Sequence, residues 1–361
     1  MEVSSFRDVL FNPVAQAKFV HTVSAGYVTA SVFVLGVSSY YLLRGRFLEL
    51  AKRSFTVAAA FGLASSLSVV VLGDESGYAL GDNQQMKLAA MEGMWHTEAS
   101  PAGLSVIAYP SQERRETLFE VKVPYVLGLI ATRSLTGQVE GIYPLVAEAR
   151  GRIENGLVAY DAVEKLKLDP ANTAARAQWE TAKNDLGYAM LLKRYVADPR
   201  TADAVTIDKA AWDTVPEVPV LFWGFRAMAG IGFVLIAFFA TAFALSSTRR
   251  FDKRWFLRAA LFVMPLPWLA AELGWIVAEV GRQPWAVDGV LPTFLANSSL
   301  TVPQLWTTIA GFTLLYGALA VIEVRLMLAS IRKGPEEYRP WRPGREEPAE
   351  VATAYTAVPA E

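Results

Sequence analysis

Five stretches of this 361-residue chain are apolar for long enough to cross a lipid bilayer, and no other feature constrains the fold as much. A crossing takes ~20 apolar residues in a helix, which satisfies its own backbone hydrogen-bonding groups where no water is present. Spans A to E fall at residues 14–43, 54–73, 218–247, 259–281 and 304–328. The expected fold is an all-α integral membrane protein, a five-helix transmembrane bundle with a mostly helical external loop domain. Asn12 and Pro13 open span A as a cap residue and a first-turn proline. Pro265 and Pro267 should bend the first half of span D.

Positive charge sets the expected orientation, because Lys and Arg in short loops stay on the cytoplasmic side. Arg44, Arg46, Lys52 and Arg53 lie between A and B; Arg249, Arg250, Lys253, Arg254 and Arg258 lie between C and D; Arg332 and Lys333 follow E. These segments read as cytoplasmic, so the N-terminus and the B–C insertion read as outside. An outside start without a leader-like pattern in MEVSSFRDVLFNPVAQAKF leads us to expect further spanning helices upstream. Four regions follow: spans A and B in 1–73, an external domain in 74–217, spans C to E in 218–330, and a disordered cytoplasmic tail in 331–361. A net charge of -1 gives nucleic acid no reason to bind. The absence of Cys excludes thiolate metal sites, Cys-ligated iron–sulfur clusters and covalent c-type heme attachment.

Ionisable groups inside spanning helices are costly and need a partner or a purpose. Span A carries Lys18 and His21, span C carries Arg226 with Met228 close by, and span D carries Glu272 and Glu279. The chain has two histidines, and the other, His96, lies in the insertion. His21 and Met228 reach similar depths. Either they ligate one heme iron from opposite faces, or His21 is hydrogen-bonded between helices and Met228 is ordinary packing. Trp268, Glu272, Trp275 and Glu279 share one face of span D, as an iron ligand, a proton relay or a structural stripe. Arg226 answers a heme propionate or a Glu of span D, or forms a structural ion pair. Past the end of span B, Asp74, Gln84, Lys87 and Glu92 offer hydrogen-bonding groups at the membrane surface, either for a quinol headgroup or as a solvated loop.

The segments LFNPVAQAKFVHTVSAGYVTA, AKRSF, VLGDESGY, KLAAMEGMW, PYVLGLIATRS, DLGYAMLLKRY and GWIVAEVGRQPWAVDGVLPTFLANSSLT together resemble subunit I of cytochrome bd ubiquinol oxidases. The resemblance runs from Phe6 to about Leu328. It implies that His21 and Met228 are the axial ligands of a low-spin heme b, with Arg226 and Lys18 beside it. It implies Glu279 as ligand of a high-spin heme b, Arg282 as a propionate partner, and Trp275 between the hemes. Lys87 and Glu92 would be the quinol-binding pair, with Asp74 and Gln84 nearby. The family's subunit has nine spanning helices, and this sequence starts at what corresponds to the fifth. The four others would carry the ligands of heme d.

What the resemblance implies is the heme-bearing subunit of a bacterial inner-membrane respiratory oxidase. Ubiquinol or menaquinol would be oxidised at the outer, periplasmic face, with electrons passing through the b hemes towards heme d and oxygen reduced to water. Subunit II and a small single-helix subunit would be its partners in the bilayer. The alternative is a non-enzymatic b-type electron carrier or quinol-binding module, and a third reading is a transporter whose buried charges serve ions.

Overall fold

The computed structural model describes residues 5–100 and 102–335. A short helix, α1 (Phe6–Leu10), precedes α2 (Pro13–Arg44) and α3 (Leu48–Asn83). The insertion then folds as α4 (Gln85–Glu92), a hairpin of β1 (Leu104–Ser111) and β2 (Glu116–Val123), and the helices α5 (Val126–Thr132), α6 (Ile142–Leu168), α7 (Thr173–Ala182), α8 (Leu186–Met190) and α9 (Ala204–Trp212). After it come α10 (Val218–Ser247), α11 (Arg254–Val263), α12 (Leu266–Gly281), a small hairpin of β3 (Trp285–Val287) and β4 (Leu291–Pro292), and α13 (Val302–Lys333).

Five helical segments are long and apolar enough to cross a membrane: Val14–Arg44, Leu48–Gly81, Val218–Ser247, Arg254–Gly281 and Val302–Lys333. The fold is all-α in its membrane part, as expected. The Asn12 side chain accepts a hydrogen bond from the Ala15 N–H at 3.1 Å and caps α2 ahead of Pro13. Span D is split at Met264–Pro265 into α11 and α12, because a proline removes a backbone donor and crowds the preceding turn.

The chain forms two compact units, residues 1–299 and 300–361. The second holds α13, which opens with a capping box: Thr301 and Gln304 satisfy each other's otherwise orphaned backbone N–H groups. The expected tail falls mostly at 336–361, outside the described residues.

Within the first unit, α2 packs on α3, α11 and, over a smaller stretch, α12, while α10 packs on α3 and α12. Helices α2 and α10 therefore stand on a diagonal of the bundle. At the end away from the insertion, Val32, Leu35, Phe55, Phe239 and Phe256 build one apolar cluster from four helices. At the other end, Val218 and Leu221 of α10 and Val277 of α12 share a second cluster with Ala89, Met91, Ile142, Ile153 and Leu192 of the insertion. Burying ~25 cal/mol per Å² of apolar surface makes that shared cluster the main cohesion between the two parts.

Two features of the insertion differ from expectation. Helix α3 runs to Asn83, ten residues past the expected end of span B at 73, so Asp74 to Tyr78 lie on a helix. A run containing two glycines and two acids carries loop character locally, but packing of α5 on this extension holds it helical. The insertion also contains the β1–β2 hairpin, although most of it is helical.

Candidate functional site

Lys87, Glu92 and Arg226 converge where α4 meets the ends of α10 and α12. Helix α4 is eight residues long, ends at Gly93 in the left-handed conformation (φ 65°), and buries six of its residues. A Cβ at Gly93 would press on Phe222 and Thr117, each 3.3 Å away, so glycine suits both the turn and the space. Thr117 of β2 donates to the Gly93 carbonyl at 2.5 Å and fastens the hairpin to the end of α4.

Glu92 and Lys87, both buried, leave α4 towards different helices. Glu92 is 2% exposed, and its Oε2 accepts from Nη2 of Arg226 at 2.9 Å. Arg226 also donates to the carbonyls of Ser105 (2.7 Å), Met91 (2.8 Å) and Phe222 (3.2 Å), and its guanidinium lies 3.4 Å from the centre of the Phe222 ring. The partner of Arg226 is thus a carboxylate of the insertion, an ion pair of the kind the sequence left open beside a propionate or a Glu of span D. Burial pushes the Glu92 carboxyl above the usual carboxylate range, against the opposing pull of Arg226.

Lys87 runs along Gly281 of α12: a Cβ there would lie 2.7 Å from Lys87 Cε and 2.9 Å from Cδ and Cγ. Burial and the nearby Lys18 lower its amine to about 8, against the opposing charge of Glu279. Gly281→Ala should push the lysine out of this channel. We expect kcat/KM for any substrate held by the amine to fall about tenfold, as steady-state kinetics would show.

Lys18 and Gln84 line one small cavity between α2 and α3, with Val14, Ser76, Leu80 and Asn83, of about 40 Å³. Gln84 Oε1 is buried without a hydrogen-bond partner, which leaves a costly unmet acceptor. Asp74 faces the other way. Its Oδ2 accepts from Arg133 Nη1 at 2.5 Å, Glu75 takes Arg133 Nη2 at 3.2 Å, and the guanidinium lies 4.9 Å from the Tyr78 ring centre.

His21 and Met228 sit on the diagonal helices α2 and α10. The His21 ring lies against Gly73 of α3, where a Cβ would be 3.3 Å from Cε1. Its Nδ1 is buried and has no hydrogen-bond partner, although the Val69 backbone lies beside the ring. Met228 Sδ lies 3.0 Å from the Cβ position of Gly274 on α12. Each of these donors thus has a glycine at its flank, and the nitrogen of His21 is unsatisfied, the chemistry of a group that could take a metal.

Farther along α12, Glu279 Oε2 takes both Nε (2.7 Å) and Nη2 (2.6 Å) of Arg282, whose Nη1 donates to the Trp285 carbonyl at 3.0 Å. Trp275 is 64% exposed and Glu272 is exposed, so their face of α12 is uncovered. His96 stacks on Tyr143, with ring centres 4.9 Å apart.

Comparison with known proteins decides what this arrangement belongs to. The sequence profile described as "Cytochrome bd terminal oxidase subunit I" matches residues 1–335. The chain belongs to the cytochrome bd terminal oxidase subunit I family.

Its relatives include "Cytochrome bd-II ubiquinol oxidase subunit 1" of Escherichia coli (strain K12), 39% identical over 96% of this chain and 68% of that one. "Cytochrome bd ubiquinol oxidase subunit 1" of Bacillus subtilis (strain 168) is 27% identical over 93% of this chain and 60% of that one. The chain thus spans between three fifths and about two thirds of the length of these relatives. The bd oxidase from Geobacillus thermodenitrificans shares the fold, with a TM-score of 0.64 and 22% identity over 91% of this chain and 60% of that one. Cytochrome bd subunit I is a component of respiratory quinol oxidases, so the family itself implies heme.

Three groups of charged residues in this bd-family chain were not singled out from sequence: Arg133 on Asp74 and Glu75, Arg152 on Asp185, and Glu120 with Lys122 and Glu98 beside Glu92. The alternation Glu116, Leu118, Glu120, Lys122 is a strand signal that would have set Glu120 and Lys122 on one face of β2.

Proposed function

We propose that the chain is the heme-bearing part of a respiratory quinol:oxygen oxidoreductase, oxidising quinol at the end of the bundle that carries the insertion. The observation that carries this reading is α4, which buries a lysine and a glutamate against two spans at the point where the bundle meets the insertion. Isolated charges are not buried without cause, and quinol oxidation requires groups that hold two hydroxyls and accept their protons.

In this reading the protonated Lys87 holds one quinol oxygen and stabilises it as its proton leaves. Glu92, kept basic enough by burial, accepts a proton while Arg226 fixes its carboxylate. The unmet acceptor of Gln84, beside Lys18, suits a hydroxyl at the near edge; the cavity there admits a group of that size and not a ring. Asp74 acts through Arg133 rather than on the substrate. His21 and Met228 would hold a low-spin heme b, which would supply one-electron redox chemistry when bound, and Glu279 and Arg282 would hold a high-spin heme b. Trp275 lies on the α12 face between these positions. Heme d and the reduction of oxygen belong to helices that the longer relatives have room for, together with subunit II and a small single-helix subunit. Ubiquinol and menaquinol both fit the chemistry. The basic A–B and C–D turns support a periplasmic insertion and a cytoplasmic end of α13 in a bacterial inner membrane.

Oxygen uptake by the assembled complex tests this reading. Because the amine of Lys87 carries its charge below about 8, kcat/KM for quinol should fall as pH rises through that value. Lys87→Gln should be poor at every pH and lose this limb. A wild-type profile in Lys87→Gln would contradict the role.

A further inference from the structure

Glu92 is sealed from solvent, so a proton that reaches it needs a way out. The β1–β2 hairpin carries the charged groups nearest to it after Arg226. Ser105 of β1 touches both sides of the barrier: its carbonyl accepts from Arg226, the residue that holds Glu92, and its hydroxyl donates to Glu120 of β2. Lys122 Nζ lies 3.0 Å from Glu120 Oε2 and also pairs with Glu98. Exposure rises along the series, from 3% for the Glu92 side chain to 19% for Glu98, 25% for Glu120 and 34% for Lys122. Glu92 interacts electrostatically with Arg226, Glu120 and Lys122, so the three charged neighbours that face it come from α10 and β2.

We propose that Glu120 takes the proton released at Glu92 and passes it to the outer water, with Ser105 and Lys122 positioning its carboxylate. The step is an acid–base exchange: the O–H bond of the Glu92 carboxyl breaks, one forms on Glu120, and no electrons move. Glu120 then loses the proton to solvent and is ready for the next. Two things suit it to the role. A hydroxyl and an ammonium fix its orientation, and its partial exposure keeps its proton exchangeable. The proposal rests on the reading of Glu92 as the acceptor of a quinol proton.

The test uses the purified complex with its hemes, comparing Glu120→Gln, Glu120→Asp and Ser105→Ala. Glu120→Gln keeps the hydrogen bond to Ser105 but carries no exchangeable acid. It should leave the optical spectrum and KM unchanged, lower kcat about tenfold, and enlarge the solvent deuterium isotope effect on kcat. Glu120→Asp should recover most of the rate. Ser105→Ala keeps the charge and frees the carboxylate, and should lower kcat about fivefold with the same enlarged isotope effect. Wild-type kcat in both Glu120→Gln and Ser105→Ala would overturn the relay, and so would a lower kcat with an unchanged isotope effect, the mark of a merely structural role. Glu92→Gln separates the two levels of inference. If it abolishes quinol oxidation while the hairpin variants behave as wild type, the relay alone fails; if it oxidises quinol normally, the reading of Glu92 fails.

Discussion

Glu92→Gln in the assembled complex is expected to lower quinol oxidation by about 10²- to 10⁴-fold, the range associated with losing a positioned general base. The amide has nearly the shape of the carboxylate and leaves Arg226 an acceptor at the same place, so the optical spectrum of the bound hemes should persist. Glu92→Ala should behave differently. It leaves the guanidinium of Arg226, 11% exposed, with no anionic partner, and removing one member of a buried pair costs about 3–5 kcal/mol. Thermal melting of the detergent-solubilised complex should then shift downwards for the alanine variant and little for the glutamine variant. Equal melting losses in both would mean that Glu92 is a structural group.

The membrane architecture was legible in the sequence because it depends on composition over long windows. Spans A and C appear within one residue of their expected limits, since Asn12–Pro13 caps the one and the run from Val218 is apolar but for Arg226. The prolines of span D were readable as a break for the same local reason. Span B was not fully legible. Its last ten residues, with Asp74, Glu75, Gly77 and Gly81, have the composition of a loop, and packing by α5 with the Arg133 clamp holds them helical. Tertiary contact overrode local preference there.

The candidate site divides along the same line. Motif resemblance singled out Lys87, Glu92, His21, Met228 and Glu279 one by one, but pairings across the chain are invisible to spacing. Arg226 meets Glu92 across 134 positions and Ser105 across 121, and nothing in the sequence of span C names those partners. The hairpin that carries Glu120 was hidden because its eight-residue strands lie inside an insertion dominated by helical periodicity.

His21→Ala carries the other large expected effect, the disappearance of the low-spin b component from the reduced-minus-oxidised spectrum. The imidazole has little to lose beyond its contact with the Val69 backbone, because its buried Nδ1 makes no hydrogen bond, and a methyl group beside Gly73 introduces no clash. The variant should therefore fold and insert while failing to hold that heme. Electron entry from quinol should be lost with it. An alanine variant that kept the low-spin component would require another nitrogen donor, and His96, the remaining histidine, is stacked on Tyr143 within the insertion.

The most direct test is near-infrared magnetic circular dichroism of the oxidised complex, which distinguishes sulfur from nitrogen as the second axial donor of a low-spin heme. If α2 and α10 clamp one iron from the bundle diagonal, the wild type shows the charge-transfer signature of histidine–methionine ligation, and Met228→Leu abolishes it. A bis-nitrogen signature, or an unchanged sulfur signature in Met228→Leu, would contradict the placement of heme between His21 and Met228.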